Sequence, residues 1–481
     1  MQILQPGAGE RAFRRTLAFF AAAFLLFYMV VPVAPLRWHD LYVAYGRGAI
    51  FAMAGIYFFV CRLRGKIEVR LVVYYTIWVF VTRLLNTDLY LQNELDLVIS
   101  RILCCVILPV GLLLEPEERL RLLDVIAVCA GLFYLVTALL GLYACIFGVY
   151  FYVPPENVVF GIDDNSLFYT NFVYIIAWET IRNISAVWFY LALCMMLYAF
   201  SRVRSALLRV PIALAGFVFL LAIAFCRCRT INFAVSFNAA MLVLLWGIPF
   251  WRKKKSAPRA VLAAILVLAA IPAMYKSFDL LTAGAAKLYN AMDVQIERTA
   301  DAYMGTTYLE ETADGQNFED PRALKDSLSN LSNRAEIYAS VLPTLREDPT
   351  RLLIGKLSSK IMLIPRKYLS YPYFHMHNYL LQVLMLTGLP GLALVLAFSL
   401  LLIWRAVRLF FSKAPTTVKL LVLPVSGILF YGLFEIILFT QSADNRALTD
   451  FRELFFFTVA GIVLAYSYEF SPAGGGEKSG V

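Results

Sequence analysis

Apolar runs of bilayer-crossing length dominate this chain. They fall near 16–36, 41–61, 70–85, 95–114, 122–147, 183–201, 209–227, 230–250, 259–275, 378–403, 417–440 and 451–468. A helix needs roughly 20 apolar residues to cross a hydrocarbon core, and a soluble core cannot absorb a dozen such segments. Composition agrees: 61% of the residues are hydrophobic and 16% charged, against about 45–50% and about 25% in ordinary soluble domains. The expected fold is an all-α polytopic membrane protein of about 12 transmembrane helices. Residues 1–275 would hold spans 1–9 and 377–470 spans 10–12, with a tail at 471–481 that reads as disordered and cytoplasmic.

Orientation follows from Lys and Arg in the short connections, which favour the cytoplasmic side. With the N-terminus inside, the inner connections carry Arg62, Arg64, Lys66 and Arg70, then Arg119 and Arg121, then Arg202, Arg204 and Arg209. Arg252, Lys253, Lys254, Lys255, Arg259, Arg405, Arg408, Lys413 and Lys419 continue the pattern. The short outer connections hold few. Both termini are expected in the cytoplasm, the first run serving as an uncleaved anchor because another span follows at once. The longest outer connection, 276–376, comes before the tenth span and is expected to form a large extracytoplasmic loop with amphipathic helices. In it, Asn333 is placed to cap a helix with Ile337, Val341, Leu342 and Leu345 on one face.

The net charge of +10 is spread over these connections, so it reads as topology and not as a nucleic-acid surface. Eight cysteines lie in or beside apolar runs with no C-x-x-C pair, and the chain has three histidines. Buried free thiols fit better than zinc. No Asp-x-Asp or His/carboxylate cluster offers a divalent site, so neither metal nor other cofactor is expected.

Arginines in or beside apolar runs are costly unless they snorkel or find an anion. Arg47, Arg83, Arg101, Arg182, Arg227 and Arg229 all fall toward the expected outer face. Each alone reads as snorkelling. As a set they suit a lipid-linked phosphate or diphosphate, which guanidinium binds through a fork of donors. His375 and His377 stand where the large loop enters the tenth span. Spacing alone fits a structural histidine at an interface or a group that moves a proton near neutrality.

His377-Asn378, nine residues, then Gly388-Leu389-Pro390-Gly391 resembles the His-Asn-x9-Gly-x-x-Gly signature of the O-antigen ligase and polymerase family. Arg182-Asn183-Ile184-Ser185-Ala186 resembles that family's Arg-Asn-x-x-Ala, and Cys228-Arg229-Thr230 resembles its Ser-Arg-Gly. Ser332-Asn333-Arg334-Ala335-Glu336 resembles the loop segment where an Arg precedes an amphipathic helix and a Pro, here Pro349. Two departures stand out: Cys228 and Thr230 flank the hairpin arginine, and the usual Pro-x-x-Gly-x-Gly is reduced to Pro349 and Gly355.

The resemblance implies a membrane glycosyltransferase that moves a glycan from an undecaprenyl-diphosphate carrier to an acceptor hydroxyl outside the cytoplasmic membrane. It assigns catalysis to His377, Arg334 and Arg229, and substrate binding to Arg182, Arg227, Asn378, His375, Arg47 and Arg101. The implied partners are the lipid-linked donor, a glycan or lipid-core acceptor and the bilayer, with no nucleic acid. Ligase, repeat-unit polymerase and protein glycan transferase share these motifs. A flippase or exporter of lipid-linked oligosaccharide is the alternative, although a transporter has less need of a large outer loop and should show paired charges near the membrane midplane.

Overall fold

The structure, a computed structural model, describes scattered positions between 12 and 29, then 66–86, 107–147, 151–153, 157–162, 175–177, 182–226, 228–253, 257–291, 337–356, 376–434, 438 and 451–470. The expected span at 41–61 lies outside these residues, as do much of 16–36 and 95–114 and the tail from 471.

The apolar runs that are described form helices: α1 (Ile67–Leu85), α2 (Pro116–Phe147), α3 (Arg182–Arg202), α4 (Ala206–Cys226), α5 (Arg229–Lys253) and α6 (Ala257–Ala291). Helix α7 covers 337–347. It is followed by α8 (Thr350–Ile354), α9 (Tyr379–Phe411), α10 (Val422–Gly432) and α11 (Phe451–Glu469). Among the described residues, six helices are long and apolar enough to cross a membrane: α2 to α6 and α9. The start of α2 shows the local chemistry. Pro116 takes the first helical position, where its missing N–H costs nothing, and Glu117 and Glu118 face the positive end of the helix dipole.

Three expectations shift. The connection at 148–182 holds a small antiparallel sheet, β1 (Phe151–Val153), β2 (Asn157–Ile162) and β3 (Ile175–Ala177), in that order, so the all-α expectation fails there. The run at 417–440 is not one long helix: a turn at Thr416–Lys419 leads into α10, which ends at Gly432. Within α7, Ile337, Val341 and Leu345 are buried as expected, but Leu342 is 56% exposed and lies off that face.

Helix α3 is central, with Ala186 to Met196 buried without interruption. Helix α6 is peripheral and turns Val261, Leu262, Ile265, Leu266 and Leu268 outward. Exposed aliphatic side chains at this density would be penalised in water and are at home against lipid tails.

A polar cluster ties one end of the bundle. Glu68 of α1 is fully buried; it accepts from Arg405 Nε of α9 at 3.0 Å and from the Tyr468 hydroxyl of α11 at 2.7 Å. The Arg405 guanidinium also lies 4.1 Å from the centroid of the Tyr468 ring. Beside it, Arg119 of α2 pairs with Glu469. A buried carboxylate is tolerable only when paired and hydrogen-bonded, and here both conditions are met. The cluster fixes α9 lengthwise against α1 and α11.

Candidate active site

Helix α9 has 33 residues, about 50 Å at 1.5 Å per residue, well beyond a hydrocarbon core of roughly 30 Å. It is not straight. Gly388 has φ 70 and ψ −173, a conformation essentially confined to glycine, and Pro390 follows without an N–H to continue the ladder. Helix α9 is therefore a short limb, 379–387, and a long limb from Pro390 to Phe411. The Tyr379 hydroxyl donates to Ser399 Oγ at 3.2 Å. Along a straight helix these residues would stand about 30 Å apart, far beyond the reach of the two side chains. The short limb must fold back along the long one, making a helical hairpin with Gly388 at its apex. The expected span at 378–403 is corrected accordingly: His377-Asn378 opens a return limb, and the full-length crossing starts after Gly388.

The apex exposes carbonyls that a continuous helix would satisfy. Met385 O accepts from Lys356 N–H at 2.8 Å, and Thr387 O accepts from Trp78 Nε1 at 2.7 Å. The strap carrying Lys356 comes very close. A Cβ on Gly388 would stand 2.5 Å from Leu353 O, and one on Gly355, itself at φ 66, would stand 2.3 Å from Leu386 O. Pro349 caps α8 and Gly355 ends it. Both remnants of the glycine-rich loop pattern thus keep backbone roles. The strap is anchored by Arg351, only 8% exposed, whose Nε pairs with Asp348 Oδ2 at 3.0 Å. The Thr350 hydroxyl bound to Asp348, followed by the Arg351 charge, holds the Asp348 carboxyl below its ordinary range.

At the open end of the hairpin, every residue from Met376 to Asn378 is tied. Met376 N–H donates to Gln382 Oε1 at 2.9 Å. His377 has φ 46, the one positive φ outside glycine among the described residues, and its carbonyl accepts from the Tyr338 hydroxyl of α7 at 3.2 Å. Asn378 caps the short limb by accepting from Leu381 N–H at 3.1 Å, while its Nδ2 donates to Leu433 O, just past α10, at 2.8 Å. A left-handed histidine costs about 1–2 kcal/mol and persists only where its surroundings over-determine it. Such strain concentrates at functional sites.

The other candidates are more dispersed. Arg229 opens α5, is exposed, and lies within electrostatic reach of Tyr275 on α6. Cys228 beside it is buried. Arg182 opens α3. Arg47, Arg101, Arg227, Arg334 and His375 lie outside the described residues. The described part of the site therefore brings His377 and Asn378 together with Tyr338, Gln382 and Leu433. Among the described residues, no group of three His, Cys, Asp or Glu is arranged to hold a metal ion.

Sequence reasoning passed over several of these. Arg452 and Glu453 are buried at the start of α11, and an ionisable pair heading an apolar run was signal enough. Arg351 follows the loop proline directly. Tyr338 and Trp78 had no such signal, because an aromatic residue in an apolar helix is usually packing.

Residues 189–396 match the O-antigen ligase family. The matched stretch begins within α3 and ends in the long limb of α9, so it contains Arg229, the left-handed His377, its Tyr338 and Asn378 ties, and both glycines of the hairpin apex. No curated protein matches the chain. The long apolar helices and this match together make the chain a multi-pass membrane protein carrying an O-antigen ligase family domain.

Proposed function

We propose that the protein transfers a glycan from an undecaprenyl-diphosphate carrier to an acceptor hydroxyl on the outer side of the cytoplasmic membrane. The observation that carries this reading is the strained conformation of His377, which lies inside the segment that matches the ligase family and is tied directly by Tyr338 of α7 and, through Asn378, by Leu433. In the proposed reaction the acceptor oxygen attacks the anomeric carbon and the bond from that carbon to the diphosphate breaks. His377 takes the acceptor proton, and the electron pair leaves on the diphosphate. Arg334 and Arg229 stabilise the charge that develops there. Arg182, Arg227, Arg47 and Arg101 serve to bind the carrier, and His375 the acceptor. Asn378 serves differently from a direct ligand: its amide is engaged on both sides by backbone, so its part is to hold the His377 turn.

On this reading the Glu68–Arg405 end of the bundle is cytoplasmic, because Lys and Arg in short loops concentrate there. Both termini are then cytoplasmic and the hairpin apex faces outward.

The test supplies purified protein with the lipid-linked donor and an acceptor, and no energy source. Release of undecaprenyl diphosphate is expected, lost in His377→Ala at normal abundance by roughly 10²–10⁴-fold. Movement of intact donor across vesicles without release would instead make the chain a flippase. His377→Gln separates two roles, since Gln keeps hydrogen bonding and cannot take the proton.

A further inference from the structure

We propose that Tyr338 is a positioning residue for glycan transfer, acting through the backbone of His377; this rests on the role given to His377 above. The Tyr338 hydroxyl donates to the His377 carbonyl oxygen at 3.2 Å across 39 positions of sequence. The geometry at His377 makes that tie consequential. With φ at 46 the residue occupies a well that side-chain-bearing residues leave when they can. Releasing the carbonyl lets the peptide rotate toward the ordinary region and re-aims the imidazole.

Two further restraints act on the neighbours. Gln382 holds Met376 N–H and Leu433 holds the Asn378 amide, whereas the Tyr338 bond falls on the histidine's own carbonyl. It is also a tie from the loop helix, which is firmly seated: Ile337, Val341 and Leu345 are buried, and the Ser340 and Thr344 hydroxyls are satisfied within α7 by Ile337 O and Ser340 O. Tyr338 is thus a rigid donor presented to a strained acceptor. It also stands four residues after Arg334 in the sequence.

The test is Tyr338→Phe, which keeps the ring and removes the donor. Purified in lipid nanodiscs, the variant should melt with the wild type and keep a KM for the lipid-linked donor within about twofold, while kcat falls roughly tenfold or more through misalignment. Thr344→Val, which removes a hydroxyl bond inside the same helix, should leave kcat unchanged. In the His377→Ala background, Tyr338→Phe should cost nothing further. Wild-type kcat in Tyr338→Phe, or a loss of kcat matched by a lowered melting temperature, overturns the proposal while leaving His377 in place. Full activity in His377→Ala overturns both.

Discussion

Gly388→Ala isolates the hairpin. Alanine at φ 70 and ψ −173 leaves the regions open to L-residues, a penalty of about 1–3 kcal/mol on its own. The new methyl would also stand 2.5 Å from Leu353 O and 2.6 Å from its carbonyl carbon. Both are backbone atoms of a strap tied to the same apex through Lys356 N–H and Met385 O, so no rotamer change relieves the contact. Overpacking of this kind adds about 1–3 kcal/mol. Together the cost is about 2–6 kcal/mol, a large fraction of the roughly 5–15 kcal/mol that stabilises a domain. The expected outcome is a lowered melting temperature of the purified protein together with loss of glycan transfer, because the short limb that carries His377 can no longer fold back. Gly391→Ala is the internal comparison. Its backbone is helical, so a Cβ that crowds the Thr387 side chain adds overpacking without the conformational penalty, and the loss should be smaller. Wild-type melting and activity in Gly388→Ala would refute the hairpin argument, and equal damage in both variants would show that packing, not backbone conformation, sets the cost.

If Arg334 binds the diphosphate through a fork of donors, Arg334→Lys keeps the charge and should still lose most activity at normal abundance; full activity would reduce its role to a general positive field. Asp348 has its carboxyl held below the ordinary range by the Thr350 hydroxyl and Arg351, so its stabilising contribution is present above about pH 4 and fades as the pH falls through the folded value. Thermal melts of wild type and Asp348→Asn should therefore differ at pH 7 and converge under strong acid; a gap independent of pH would remove charge from the explanation. A phosphatase reporter, active only outside the cytoplasm, should be active when fused after Asp320 and silent after Lys255, and the reverse would invert every outer-face assignment.

The helices were legible because lipid leaves a long apolar run few other choices. The run at 183–201 became Arg182–Arg202, and the run at 209–227 became Ala206–Cys226. The bend in α9 was less legible although its residues were in view. Gly388-Leu389-Pro390-Gly391 reads from sequence as a family signature inside an apolar stretch, and hydropathy averages straight through it. What turns it into a hairpin is long-range: Leu353, Lys356 and Trp78 all close on the apex, and no local pattern announces them. The same holds for Asn378. Its place beside the histidine suggested a ligand, while its cap and its Leu433 bond depend on where α10 happens to end.

The anchors along α9 also fix how deeply the site is set. Arg405 is held by Glu68 at one end, and from there to Gly388 the long limb rises about 25 Å at 1.5 Å per residue. The short limb then descends, because Tyr379 meets Ser399 and not a residue near the apex. His377 is thus set back from the apex along the long limb, near the level at which α10 stops and Leu433 receives Asn378. The hairpin would then do two jobs with one bend: it sets the histidine back along the long limb, and it buries Gly388 at the apex against the loop strap that locks it.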